Sequence, residues 1–248
     1  MSTPFSFVTV AHLEAPAGLS ATSFDTLREG IERAPDDSIF QHVTRNIARH
    51  PHARDLAGND FSRWVRAALQ APEAAERLAL AGSDPSRPIP EVRAELAAAI
   101  ERVPARDRRR EAAEDATFYF VRAVSVLVPL GSQARTPADV VELWPQLDAS
   151  SVFYHLIEAL HRGDTGASLA AWLRAEGAKG MARAVEEEVA EGRPLERLRR
   201  DLGGRWRRSQ IGRRVAEKAG APESERRRDA TATIARLAER LREEGEAR

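Results

Sequence analysis

Apolar and polar positions follow two rhythms along this chain. Phe5–Leu13 and Thr117–Val128 are dense runs of β-branched and aromatic residues, the types that fit a pleated surface, and they predict two strands. Each run leads into a Pro-x-Gly sequence, Pro16–Gly18 and Pro129–Gly131, which reads as a turn. Elsewhere the apolar positions recur at helical spacing, as at Val92, Leu96 and Ile100. Local start signals place the helices. Ser23 caps 24–34, Asp36-Asp37-Ser38 caps 38–49 before Pro51, Asn59 or Asp60 opens the Trp64 helix, Pro72 opens another, and Pro90 a third running to about 103. In the second half Thr136-Pro137 puts proline at the first helical position, and Ala149-Ser150-Ser151 precedes a helix over 151–162.

The similarity of the halves is itself a pattern. Shifted by 113 positions, residues 5–50 align without a gap on 118–163, with 11 identities in 46 positions; they include Phe5/Phe118, Phe7/Phe120, Val8/Val121, Pro16/Pro129, Gly18/Gly131, Ser38/Ser151, Phe40/Phe153 and His42/His155. Pairs such as Ile39/Val152 and Ile47/Leu160 fill positions expected to face a core. After a short deletion the match resumes, Trp64-Val65-Arg66-Ala67 lying on Trp172-Leu173-Arg174-Ala175. The chain therefore reads as a tandem duplication. A lone strand cannot satisfy its own ladder, so the two strands are expected to pair with each other. The expected fold is α+β, mainly α: two strand-plus-helices units, 1–104 and 105–220, related by a pseudo-twofold around a small central sheet. A last helix is expected over 221–248, with Ile234, Leu237 and Leu241 as its apolar stripe.

Composition narrows the chemistry. The 248 residues contain no cysteine, which removes thiolate nucleophiles, iron–sulfur clusters and cysteine-based zinc sites. No apolar run approaches the ~18 residues of a membrane span, and residues 1–15 lack the basic start and cleavage pattern of a signal peptide, so the cytoplasm is expected. The 38 basic and 38 acidic side chains cancel, but 193–218 holds ten basic against three acidic residues. Within it Arg205, Trp206, Arg207 and Arg208 combine phosphate-seeking guanidinium groups with a stacking aromatic and form a candidate anion site. Pairing with carboxylates such as Glu186–Glu188, or solvation, is the simpler expectation; an acidic protein surface is the next, and nucleic acid is disfavoured.

At Ser38-Ile39-Phe40-Gln41-His42, its counterpart Ser151-Val152-Phe153-Tyr154-His155, and Asn59-Asp60-Phe61-x-x-Trp64, the sequence resembles a bacterial and archaeal family known only as domain of unknown function 5752. The resemblance covers 5–103 closely, including Ala74-Ala75-Glu76-Arg77-Leu78, and 118–175 more loosely. It implies a cytoplasmic prokaryotic protein with carbohydrate-metabolism neighbours, and no established activity. The second half departs from the pattern, because Gly166-Ala167-Ser168 replaces Asn59-Asp60-Phe61 and a site using Asp60 exists only once.

His42 shares a helix face with Ser38 and Arg45, and with Asp60 it could form an oriented acid–base pair. A histidine recurring in an apolar stretch of both halves is more simply a duplicated core hydrogen bond, from imidazole to the Asp60 carboxylate or a loop carbonyl. Trp64 and Trp172 likewise read first as core anchors; beside Asn59, Asp60 and Arg66, Trp64 also suits a sugar-stacking site. The candidate ligand-binding residues are Ser38, His42, Asn59, Asp60, Trp64, Arg66, His155 and Trp172. No catalytic residue is assigned. A metal held by His42, His50, His52 and Asp55 or Asp60 matches no strong ligand spacing, so no metal or cofactor is expected. The leading expectation is a non-catalytic binding or regulatory protein; a carbohydrate- or nucleotide-handling enzyme and a nucleic-acid binder are the alternatives.

Overall fold

The computed structural model describes residues 3–49 and 58–220. In chain order it runs β1 (Phe5–Ala21), α1 (Phe24–Arg33), α2 (Asp36–Arg49), α3 (Asp60–Ala68), α4 (Pro72–Ala81), α5 (Ile89–Glu101), α6 (Ala105–Arg108) and β2 (Phe118–Ala134). The second half continues with α7 (Pro137–Leu143), α8 (Ala149–Phe153), a π-helical turn (Tyr154–Glu158), α9 (Ala159–His161), α10 (Leu169–Ala175), α11 (Lys179–Ala190) and α12 (Leu195–Gly220). The fold is α+β and mainly helical. Contacts divide the chain into one unit through Gly203, which holds the sheet, and a second from Gly204. The helix expected over 221–248 lies outside the described residues.

The two strands pair with each other, antiparallel, as a two-stranded sheet. Their central register runs from Thr9 opposite Val128 to Pro16 opposite Val121, with His12 facing Ser125 near its middle. Both strands extend past the expected turns, because each Pro-x-Gly is a bulge inside a 17-residue strand. Ala17–Leu19 oppose the single residue Phe120, and Leu130–Ser132 oppose Phe7. Gly18 (φ 74°) and Gly131 (φ 75°) take up the extra length in the left-handed region that glycine tolerates. The bulges lie opposite Phe7 and Phe120, both 1% exposed.

Local chemistry explains the helix starts. The side chains of Ser23 and Thr26, and of Thr136 and Asp139, close reciprocal capping boxes at α1 and α7; Asn59, Asp148 and Ser168 cap α3, α8 and α10 singly. α2 starts at Asp36, two residues before the expected Ser38. The helices bury the ribbon mainly near its ends, at Phe5, Phe7, Phe118 and Phe120, while Leu13, Val124, Val126, Leu127 and Val128 remain exposed.

Two aromatic clusters fill the core around the ribbon. One gathers Phe61, Phe118 and Phe120 about His42; the other gathers Phe5, Phe7 and Tyr154 about His155. In both, a strand from one half of the chain packs against helices of the other. Gly30 of α1 is part of this packing, since a Cβ there would collide with the Phe120 ring. Gly30→Ala is therefore expected to cost roughly 1–3 kcal/mol in chemical denaturation despite alanine's better helix propensity. Unchanged stability would show that the ring moves aside freely.

Candidate binding site

Both motif histidines are buried and use both ring nitrogens. His42 is 2% exposed; its Nε2 accepts the Val121 amide at 2.9 Å, so the ring proton lies on Nδ1 and is donated to Asp60 Oδ2 at 2.9 Å. His155 is 1% exposed; its Nε2 accepts the Val8 amide at 3.0 Å, and Nδ1 donates to the Ala167 carbonyl at 2.8 Å. His42 and His155 stand 113 positions apart, and so do Val121 and Val8. The amides have a common setting too, since Val8 lies opposite Pro129 and Val121 opposite Pro16. The tryptophans repeat the exchange. Trp64 Nε1 donates to the Ala116 carbonyl at 2.6 Å, and Trp172 Nε1 to the Thr3 carbonyl at 3.0 Å.

The other candidate residues near the His42–Asp60 pair are engaged within the fold. Asp60 also holds Arg63, and Ser38, fully buried, donates to the Val121 carbonyl at 2.8 Å. Asn59 is buried as the α3 cap, accepting from the Ser62 amide and donating to the Leu78 carbonyl. Arg66 faces outward, 3.8 Å from Glu76, and Trp64 rests against Phe118. His50, His52 and Asp55 lie outside the described residues, and no group of three His, Asp or Glu side chains forms a metal site among the described ones. In the basic segment Arg205, Arg207 and Arg208 are exposed, whereas Trp206 is buried. Arg193 pairs with Glu188, Glu191 and Asp201, Arg197 with Asp201, and Arg199 with Glu196. Glu186 and Glu187 pair with Arg174 and Arg183. No helix among the described residues is long and apolar enough to cross a membrane.

A cleft of about 480 Å³ opens beside the ribbon. The start of α2 contributes Asp36, Asp37 and Phe40, the start of α5 contributes Ile89 between two prolines, and β2 contributes Ser125. Glu158, Leu160, His161 and Arg162 complete the lining. Glu158 is 2% exposed, and His12 Nε2 donates to its Oε2 at 2.7 Å while Ser125 and Arg162 donate to Oε1. Burial alone would push its carboxyl up; the hydrogen bonds from His12 and Ser125, with the His12 charge and Arg162, outweigh that and hold it below the usual carboxylate range. His161 donates to the Pro85 carbonyl at 2.6 Å, its ring 4.8 Å from that of Phe40, and burial holds its pKa below the ordinary histidine value.

Helical periodicity does not reveal Glu158, because the π turn makes 151–159 a continuous buried stretch rather than one face of a regular helix. The one available signal is an exception to the repeat: Glu158 aligns with Arg45.

Comparison with known proteins adds a family without a function. The solved structure of OrfY from Thermoproteus tenax is similar to this chain, with 26% identity and a TM-score of 0.68 over 81% of this chain and 93% of that one. No curated protein matches. The model of a family of unknown function, DUF5752, matches residues 2–204, the span that carries both histidine motifs and the cleft, and the chain belongs to that family.

Proposed function

We propose that the chain is a non-catalytic binding protein of the cytoplasm, whose scaffold is a tandem duplication of one strand-plus-helices unit, residues 1–104 and 105–220. The pseudo-twofold axis of this duplication passes through the His12–Ser125 pair, the one facing pair in which each residue is the other's repeat equivalent. Reciprocity supports the duplication. Each half lends a strand amide to the other's histidine, and the carbonyl before its strand to the other's tryptophan.

The observation that carries the binding reading is the division between committed and available polar groups. A histidine acting as general base needs a free ring nitrogen within reach of substrate. His42 and His155 have none, since their rings are spent on Asp60, Ala167 and two strand amides. The cleft beside Glu158 is instead open, partly apolar and of the size of small-molecule sites, about 300–1,000 Å³. Ligand-observed NMR of the full chain with mixtures of small metabolites tests this: compounds should bind and be recovered unchanged. Appearance of a product would make the protein an enzyme.

A second reading, nucleic-acid binding through 193–218, follows from that segment's charge. Its ion pairs predict otherwise, as Arg193, Arg197 and Arg199 already meet carboxylates. Filter binding of a generic oligonucleotide is therefore expected to show no submicromolar affinity even at low salt. Tight binding that collapses with salt, at a log–log slope of about −0.7 to −0.9 per phosphate contacted, would reverse the preference.

A further inference from the structure

We propose that the cleft beside Glu158 binds a small organic cation, an ammonium or guanidinium group on a short apolar body; this rests on the binding reading above and names its ligand class. The cleft's ionised groups are unbalanced. Asp36, Asp37 and Glu158 line it against one guanidinium, Arg162, which already donates to Glu158 at 3.3 Å. Among the lining residues His161 does not redress the balance, because burial keeps it neutral and its Nε2 is directed at Pro85; His12, outside the lining, is spent on Glu158. Asp36 meets Arg93, while Asp37 has no ion pair among the described residues.

Glu158 gives this imbalance its strength. A carboxylate offers about four acceptor positions, and His12, Ser125 and Arg162 take three. A cation reaching the fourth would meet a charge shielded from water, where attraction is several-fold stronger than at the surface. The apolar part of the wall, Phe40, Ile89 and Leu160, suits a short hydrocarbon body, and an aromatic ring beside a cation adds its own attraction. An anion is disfavoured despite the start of α2, since Asp36 and Asp37 already occupy its first turn.

The repeat serves as an internal control. Asp36, Asp37, Glu158 and His161 align with Ala149, Ser150, Arg45 and Ala48, so the equivalent positions of the other half carry none of these acids. The shared fold does not require them.

Calorimetric titration of the full chain with agmatine and 1,5-diaminopentane, against 1,5-pentanediol and glutarate, tests the assignment. Saturable binding of the two cations is expected, with neither control binding. Leu160 is 51% exposed, so Leu160→Arg should fold normally, checked by its melting curve, and should weaken agmatine binding at least tenfold by placing a cation at the mouth. Asp37→Asn should weaken it about three- to tenfold, and Leu160→Glu should not weaken it. Agmatine binding unaffected by Leu160→Arg and Asp37→Asn, or no cation binding at all, would overturn the proposal. Glutarate binding instead of the cations would overturn the ligand class and leave the binding reading standing. Conversion of bound agmatine to a product, followed by NMR, would overturn the binding reading and leave the class standing.

Discussion

Alanine at His42 or His155 is expected to lower the folding free energy by about 3–4 kcal/mol in each case. Two costs combine. An imidazole leaves an aromatic-walled site that is almost wholly buried, 2% exposed at His42 and 1% at His155, and the resulting void loses contacts that a close-packed core cannot restore. A strand amide also loses its acceptor, at Val121 or Val8, and a buried unsatisfied donor costs roughly 1–3 kcal/mol. The acceptor of each amide is the imidazole itself, so its removal leaves the donor without that partner. At His42 the Asp60 carboxylate loses a donor but keeps Arg63, so the two substitutions should be of similar size. Urea denaturation measures both. Glutamine provides a finer test, since its side-chain oxygen reaches about as far as Nε2 and can accept the amide; His42→Gln should recover part of the loss. If His42→Ala kept full stability yet abolished binding of a ligand, the imidazole would be a site group and not a core one.

These histidines show how much of the structure was legible in the sequence. Their recurrence at a fixed offset, in apolar surroundings, pointed to a duplicated hydrogen bond with a carboxylate or loop carbonyl as acceptor, and those are the groups on Nδ1. The second partner, an amide of the other half's strand, was not legible, because nothing in a local pattern says which distant backbone group lacks a ladder partner. The helix starts at Ser23, Thr136 and Asn59 were legible because a cap is a contact among neighbours in sequence. The Pro-x-Gly pair misled for the same local reason. Proline and glycine specify backbone angles, and a left-handed glycine serves a bulge as well as a turn; the facing strand decides between them.

The cleft was not legible, and its chemistry explains why. Its residues come from α2, the start of α5, β2 and the end of α9, so no short motif contains them. Its central acid is in the π turn, where helical spacing fails as a guide. The conventional candidates, a histidine beside an aspartate and a tryptophan near an arginine, went to the interior and the surface.

Mild acid is expected to destabilise the protein well before its carboxylates protonate. Burial places His155 and His161 below the ordinary histidine value of 6.5 in the folded state, and unfolding returns both to it. For His155 the geometry agrees, since the Val8 amide is a donor and only an unprotonated Nε2 can receive it. Below about pH 6.5 the unfolded chain therefore binds protons that the native chain does not, and stability falls with pH at up to 1.4 kcal/mol per unit for each histidine. Between pH 7.5 and 5.5 both therefore weaken the fold, and Tm should fall as the pH is lowered. Glu158 acts in a lower window: its depressed folded pKa contributes stability above about pH 4.5 and loses it on further acidification. Melting curves across pH 5 to 8 measure the first window, and His161→Gln separates its parts. That variant should start less stable and lose less stability between pH 7.5 and 5.5, because one of the two titrating groups is gone. A wild-type Tm that is flat from pH 7.5 to 5.5 would mean that both imidazoles accept protons in the folded protein. At His155 that requires the Val8 amide to give up its bond to Nε2, which hydrogen exchange at Val8 would detect directly.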